Sequence, residues 1–271
     1  MKSVLAALLG LILISPAHAE EISAGALDHI SGDIVVVGEI HDNPTHHLNQ
    51  ARAITAIKPK AVVFEMLSPA QAAKITPALL KDEKALDKAL GWEQAGWPDF
   101  AIYYPIFKAL GDSRIYGTAE PRDVVRSAMT TPLSEVFGPD ASRYGLNQPY
   151  PDALQKQLEA EAQKDHCNAL PVDLLPGMVA AQRYRDAAFA RTVQQAYKDT
   201  GGPVVLITGS GHAHNDLAVP AMLRKLDPRA KVVSIGQIEA APDDPASPDQ
   251  PFDHWIVTPP TPRDDPCAAF K

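Results

Sequence analysis

The chain has 271 residues, of which 45% are hydrophobic and 21% charged, a composition that suits a folded globule and not a disordered chain. A formal net charge of −8 and the lack of any basic stripe argue against a nucleic-acid partner, whose phosphates demand a basic face. This length allows one large α/β domain or two small ones.

The first residues read as a secretory leader. Lys2 supplies the positive end, Val4 to Ile14 the apolar run, and Ala17-His18-Ala19 a small-x-small cleavage site. The apolar run is too short to span a membrane comfortably. No cysteine stands at the cleavage site, so lipid attachment there has no support. The expected organisation is a signal peptide over residues 1–19 and a single α/β domain over residues 20–271, with periplasmic or exported localisation. Export makes Cys167 and Cys267 readable as a disulfide that ties the Pro-rich tail to the body.

The first strand is Ile34-Val35-Val36-Val37, an apolar β-branched run of the kind buried on both faces of a parallel sheet. It runs through Gly38 into Glu39, Ile40 and His41. Asn43 is a suitable N-cap and Pro44 a suitable first residue for a helix over about 44–57, which places His46 and His47 in its first turn. Ala61-Val62-Val63-Phe64 is a second strand and ends in Glu65. Ser68-Pro69-Ala70-Gln71 is a capping-box variant that opens two helical segments reaching Leu90.

A turn-rich aromatic segment from Gly91 leads to a helix over about 100–110, carrying Tyr103, Tyr104 and an internal Pro105. Arg114 to Thr118 is a third strand. From Met129 to Pro176 the strand–helix rhythm breaks, and this stretch reads as a lid. The longest helix follows, over about 176–198, with Gln182, Arg185, Asp186 and Phe189 on one face by i, i+3, i+4 spacing. Val204 to Thr208 is a fourth strand and delivers Gly209-Ser210-Gly211-His212-Ala213-His214. A helix over 220–226, a strand over 231–235 and an edge strand over 253–257 complete the chain.

Strands alternating with helices predict an α/β fold, a mostly parallel sheet flanked by helices, with a helical lid insertion over about 129–176. In such sheets ligands bind beyond the carboxyl ends of the strands. Glu39, His41, Glu65, His212 and His214 then emerge on one edge. One chemistry open to them is a divalent transition metal (zinc, manganese or cobalt) held by His41, Glu65, His212 and His214. A hydrolase built there would use Glu39, His41, Glu65 and His212 as its catalytic set. A single histidine of this kind more often caps a helix or satisfies loop backbone, and it is the pairing at two strand ends that favours function. His46 and His47 are equally divided between supporting such a site and facing solvent.

Gly209-Ser210-Gly211 fails as a dinucleotide fingerprint, because the third glycine falls on His214. It also lacks the spacing of a nucleophile elbow. A tyrosine phenolate is the other chemistry, since it can ligate ferric haem iron. Tyr104, Tyr144, Tyr150 and Tyr184 are the candidates near the lid, although a single tyrosine is more often a packing residue.

The motifs Gly38-Glu39-Ile40-His41-Asp42-Asn43, Phe64-Glu65-Met66 and Gly209-Ser210-Gly211-His212, joined by Trp97-Pro98, Tyr104 and Ala181-Gln182-x-x-Arg185-Asp186, resemble the ChaN-like haem-binding uptake proteins of the Tiki superfamily. The resemblance runs from about Asp33 to Ile235. It implies an exported haem-binding protein of iron uptake or storage, with a homodimer holding two haems face to face. An outer-membrane haem receptor is the partner expected of such a protein. It also implies a tyrosine ligand, Tyr144 or Tyr150 with Tyr144 preferred, supported by Tyr104, and propionates met by Arg143 or Arg185. In hydrolytic members of the wider superfamily, residues matching Glu39, His41, Glu65 and His212 form the active site. The chain departs from the lipoprotein members in lacking a lipidated cysteine.

Overall fold

The computed structural model describes residues 19–241, 243–265 and 267–268, so that the leader over residues 1–18 lies outside the described residues. Seven strands form one sheet: β1 (Glu20–Glu21), β2 (Ile34–Glu39), β3 (Ala61–Phe64), β4 (Arg114–Gly117), β5 (Val204–Gly209), β6 (Val232–Glu239) and β7 (His254–Thr258). Their spatial order is β1-β7-β6-β2-β5-β3-β4. Every pairing is parallel, with β2 at the centre in register with both β5 and β6. The helices are α1 (Pro44–Ile57), α2 (Pro69–Ala72), α3 (Glu83–Leu90), α4 (Trp92–Ala95), α5 (Phe100–Ala109), α6 (Arg122–Ser127), α7 (Leu133–Phe137), α8 (Asp152–Asp165), α9 (Leu175–Thr200) and α10 (Val219–Leu226). No helix among the described residues is long and apolar enough to cross a membrane.

The alternation of strand side chains divides the core in two. Ile34, Val36, Ala61, Val63, Val204 and Leu206 face α7, α9 and α10, while Val35, Val37, Val62, Phe64, Val205 and Ile207 face α1, α3 and α5. Both faces of the central strands are therefore covered, and β2, β3 and β5 are buried along their whole length. The fold is the expected parallel sheet flanked by helices, with its large helical insertion between β4 and β5.

Local chemistry sets the element ends that matter to the site. The Asn43 side chain accepts from the Thr45 and His46 amides, at 2.9 and 3.3 Å, and Pro44 occupies the first helical position of α1. Ser68 and Gln71 close a reciprocal capping box on α2. Gly201, with φ of 73°, ends α9 in the left-handed region where a side chain would be strained.

One expectation is corrected. The strand near residues 253–257 is not the sheet edge, because β1 pairs with β7 on its outer side, Glu20 opposite His254 and Glu21 opposite Trp255. Two charged residues next to the leader gave no periodic signal for that strand. Cys167 and Cys267 form a disulfide with Cα atoms 5.4 Å apart, as expected from the cysteine count.

Candidate functional site

β2, β3 and β5 end side by side, so their carboxyl ends deliver Glu39, Glu65 and the Gly209–His214 turn to one place. Glu39 is 2% exposed, and its Oε1 accepts from the Tyr103 hydroxyl at 2.6 Å and from His41 Nδ1 at 2.7 Å. Its Oε2 faces His47 Nε2 at 3.6 Å. Burial by itself would raise the Glu39 pKa, but hydrogen bonds from His41 and His47 prevail and hold it at about 2. Burial likewise opposes charge on His41, yet the Glu39 carboxylate raises its pKa above the usual imidazole value. Tyr103 stays a phenol, with its pKa raised by burial and by Glu39.

Glu65 is the second buried carboxylate. Its Oε2 accepts from the Thr208 hydroxyl and the Gly209 amide, both at 2.7 Å, and its Oε1 pairs with the Arg185 guanidinium. His212 Nε2 lies 3.6 Å and His41 Nε2 4.0 Å from that same Oε1. His212 Nδ1 donates to Asp186 Oδ1 at 2.6 Å, and its ring packs against Phe189 with centroids 4.6 Å apart. Burial raises the Glu65 pKa less than His212, Arg185 and His41 lower it, so the carboxylate stays ionised. Asp186 goes the other way, its pKa raised because burial outweighs the neighbouring His212.

The arrangement is two histidines, each with Nδ1 fixed by a buried carboxylate and Nε2 turned toward Glu65. Fixing one ring nitrogen orients the other for proton transfer or ligation. Gly209 leaves room for His41 at the floor of this cluster: a Cβ there would stand 3.1 Å from His41 Nε2 and push the ring aside. The face of α9 read from the sequence is the face that serves the site, since Arg185 meets Glu65 while Asp186 and Phe189 meet His212. The Gln182 amide also packs beside His212 at 3.1 Å.

The cluster does not fit a divalent ion as arranged. Arg185 stands on the oxygen that both histidines approach, and the Glu39 oxygen nearest His41 already accepts from Tyr103 and His41. Among the described residues no group of three His, Cys, Asp or Glu side chains is placed to hold a metal.

Two cavities open beside α9. A groove of about 790 Å³ lies over Glu65, Arg185, Phe189 and Trp97, walled by α2 and the segment entering α6. On the other flank a cleft of about 270 Å³ runs between α8 and α9. Its walls are Leu158, Ala162, Met178, Val179, Leu217 and Ala218, and Tyr150, His166, Arg183 and His214 also line it. The Tyr150 hydroxyl and both His214 ring nitrogens have no hydrogen-bond partner among the described residues. The Arg183 guanidinium sits 4.0 Å above the Tyr150 ring. Burial raises the Tyr150 pKa and Arg183 opposes it, while burial lowers the pKa of His214.

The structure separates the other tyrosines and arginines from this cleft. Tyr144 is 5% exposed and packs on Phe137 at 5.0 Å, with its hydroxyl 3.5 Å from Gln194. Tyr104 donates to the Leu80 carbonyl at 3.1 Å, and Arg143 lies at the surface beside Asp140. Tyr184 is buried against Phe137. His214 leaves the strand-end cluster for the cleft and touches Phe252. Tyr103, Asp186 and His47 belong to the strand-end cluster; sequence reasoning assigned Tyr103 no role there, left His47 divided between supporting the site and facing solvent, and singled out Asp186 only by its helix face and motif. The stacking of His47 on Tyr103 at 3.9 Å carries no sequence signal, but the i+4 step from Gln182 to Asp186 pointed at the third residue.

A seven-stranded parallel sheet with a buried histidine–carboxylate cluster at its carboxyl edge and a lidded apolar cleft beside it defines an α/β ligand-binding protein. The family model for haem-binding uptake proteins, Tiki superfamily, ChaN, matches residues 28–223, and the chain belongs to that family. Membership implicates it in haem binding and uptake. A solved structure of similar fold is that described as cofacial haem binding to ChaN of Campylobacter jejuni. It aligns over 84% of this chain and 88% of that one, with a TM-score of 0.61 at 19% identity. The type III effector HopBA1 aligns over 88% of this chain and 92% of its own, but with a TM-score of 0.44 at 12% identity it bears on nothing here. Among curated proteins no match was found.

Proposed function

We propose that the protein binds haem in the cleft between α8 and α9, with the Tyr150 phenolate as the iron ligand. The observation that carries this reading is an unpartnered Tyr150 hydroxyl lining an apolar cleft that also presents an unpartnered imidazole, His214. Bound haem supplies a ferric centre that accepts a phenolate. Tyr150 gives up its proton on binding, and Arg183 over its ring stabilises the negative charge that results. Leu158, Ala162, Met178 and Val179 exclude water from one face of a flat ligand.

The cleft is smaller than the ~300–1,000 Å³ of pockets that engulf a ligand. A porphyrin therefore leaves one face outside, where a second copy carrying its own haem can cover it. The cofacial haems described for the Campylobacter jejuni protein support this dimeric reading. The leader motif supports export to the periplasm with cleavage after Ala19, and an outer-membrane haem receptor is a fitting partner there. Tyr144 packs in the core against Phe137, and this favours Tyr150 as the ligand although the resemblance preferred Tyr144.

The test is a hemin titration followed by absorption spectroscopy. Wild type gives a saturable, tyrosinate-type spectrum; Tyr150→Phe loses it and Tyr144→Phe keeps it. If Tyr150→Phe binds hemin with an unchanged spectrum, the assignment is wrong.

A second reading rests on the two oriented histidines at Glu65. That cluster supports hydrolysis by general acid–base chemistry, with His41 or His212 moving the proton. Turnover of ester or peptide substrates that His212→Ala abolishes supports it, and elemental analysis of the untreated protein decides whether zinc, manganese or cobalt takes part.

A further inference from the structure

We propose that residues 259–265, with Cys267, form a thiol-cleavable strap that holds α8 closed over the cleft; its bearing on haem rests on the reading above. The strap has two anchors. At the first, Thr261 gives its amide to Glu239 Oε1 at 3.0 Å. Arg263 forks onto Asp42, Nε to Oδ2 at 2.9 Å, and onto Glu239 at 2.6 Å. Asp42 directly follows His41, so this anchor sits on the loop at the carboxyl end of β2. Four residues beyond Arg263, Cys267 is bonded to Cys167, two residues past the end of α8.

α8 is the wall that needs such a device. None of its residues is fully buried, and its packing is against α9. A helix with so little buried surface has little packing free energy of its own. Yet its last turns supply Leu158, Glu161, Ala162 and Asp165 to the cleft, and the adjoining His166 lines it as well. The disulfide joins residues 100 apart in sequence, a span over which a cross-link strongly restricts the chain. It thereby fixes the end of α8 to a segment that is itself clamped to the rigid sheet.

Opening is a thiol–disulfide exchange. A dithiol reductant gives two electrons and two protons, the Cys167–Cys267 bond breaks to two thiols, and the reductant leaves as its own disulfide. α8 is then held mainly by its packing against α9, and the cleft opens from the His166 end. The ligand is retained in the oxidised protein and released in the reduced one.

The experiment compares oxidised protein, protein reduced with dithiothreitol, and the Cys167→Ser/Cys267→Ser variant. In the haem-free state, amide hydrogen exchange over residues 152–168 is expected to quicken about tenfold or more on reduction, while β2 and β5 keep their protection. In the hemin-loaded state, transfer to apomyoglobin is expected to quicken by about the same factor. Arg263→Gln, with its disulfide intact, is expected to give a smaller rise in both. Unchanged exchange over α8 after mass spectrometry shows both thiols free overturns the strap. Faster exchange with hemin release altered less than about twofold overturns the gate. A protein that binds no hemin even when oxidised refutes the haem reading, and the exchange measurement still decides the strap.

Discussion

Replacing Glu39 by Gln tests the electrostatics of the strand-end cluster with almost no change of shape. Gln mimics the protonated acid and still offers Tyr103 an acceptor, so the perturbation is the loss of one buried negative charge. In the folded protein the Glu39 pKa is lowered from 4.5 to about 2, because His41 and His47 outweigh the burial penalty. That difference converts to about 3 kcal/mol of folding stability at 1.36 kcal/mol per pH unit. Because the folded pKa lies below the unfolded one, the contribution is fully present above pH 4.5. It is lost as pH falls through the window toward 2. The same ion pair raises the His41 pKa, so its share is present below the ordinary imidazole value of 6.5 and fades as pH rises past the elevated one. The two shifts describe one interaction and are not added.

Urea denaturation of wild type and Glu39→Gln near pH 6 is therefore expected to differ by about 3 kcal/mol. The gap narrows progressively toward pH 2. A variant as stable as wild type near pH 6, or a gap that stays constant down to pH 3, would refute the reasoning.

Further outcomes follow from the same structure. Because the Tyr150 pKa is raised and the iron ligand is its phenolate, hemin binding releases a proton. Affinity measured by spectroscopic titration should then rise with pH by up to about tenfold per unit across the neutral range. A flat profile would count against the phenolate. Gly236→Ala places a Cβ 2.3 Å from the Phe252 ring, which is 4% exposed and cannot swing into solvent freely. Chemical denaturation should show a loss of roughly 1–3 kcal/mol, and a neutral substitution would mean that the ring relocates at no cost. Gly209→Ala should displace His41, leave hemin titration in the α8–α9 cleft unchanged, and abolish any hydrolysis at Glu65. Retained hydrolysis would remove His41 from that chemistry.

Much of the fold was legible because a buried parallel strand has a local signature. The β-branched runs at residues 34–37, 61–64 and 204–208 can be satisfied only by burial on both faces, and parallel pairing then brings their carboxyl ends together. Glu39, His41, Glu65 and His212 meet for that reason alone. Caps at Asn43 and Ser68 and the single face of α9 were equally readable, since each depends on residues within a few positions of one another. Periodicity said nothing about the lid, where prolines interrupt every pattern, and the choice between Tyr144 and Tyr150 therefore rested on resemblance.

The sequence by itself determined the elements, the direction of the strands and the edge at which polar residues gather, because these follow from local propensity and the two-residue repeat. Only the tertiary structure decided the pairings across large sequence separations. Tyr103 reaches Glu39 because α5 packs on α1, and Asp186 reaches His212 because α9 crosses the sheet between two cavities. Tyr150 lines the cleft while Tyr144 fills the core, although six residues separate them, because one stands on the cavity side of the insertion and the other beneath it. Side-chain partners of that kind are fixed by the packing of whole elements, which no short stretch of chain encodes.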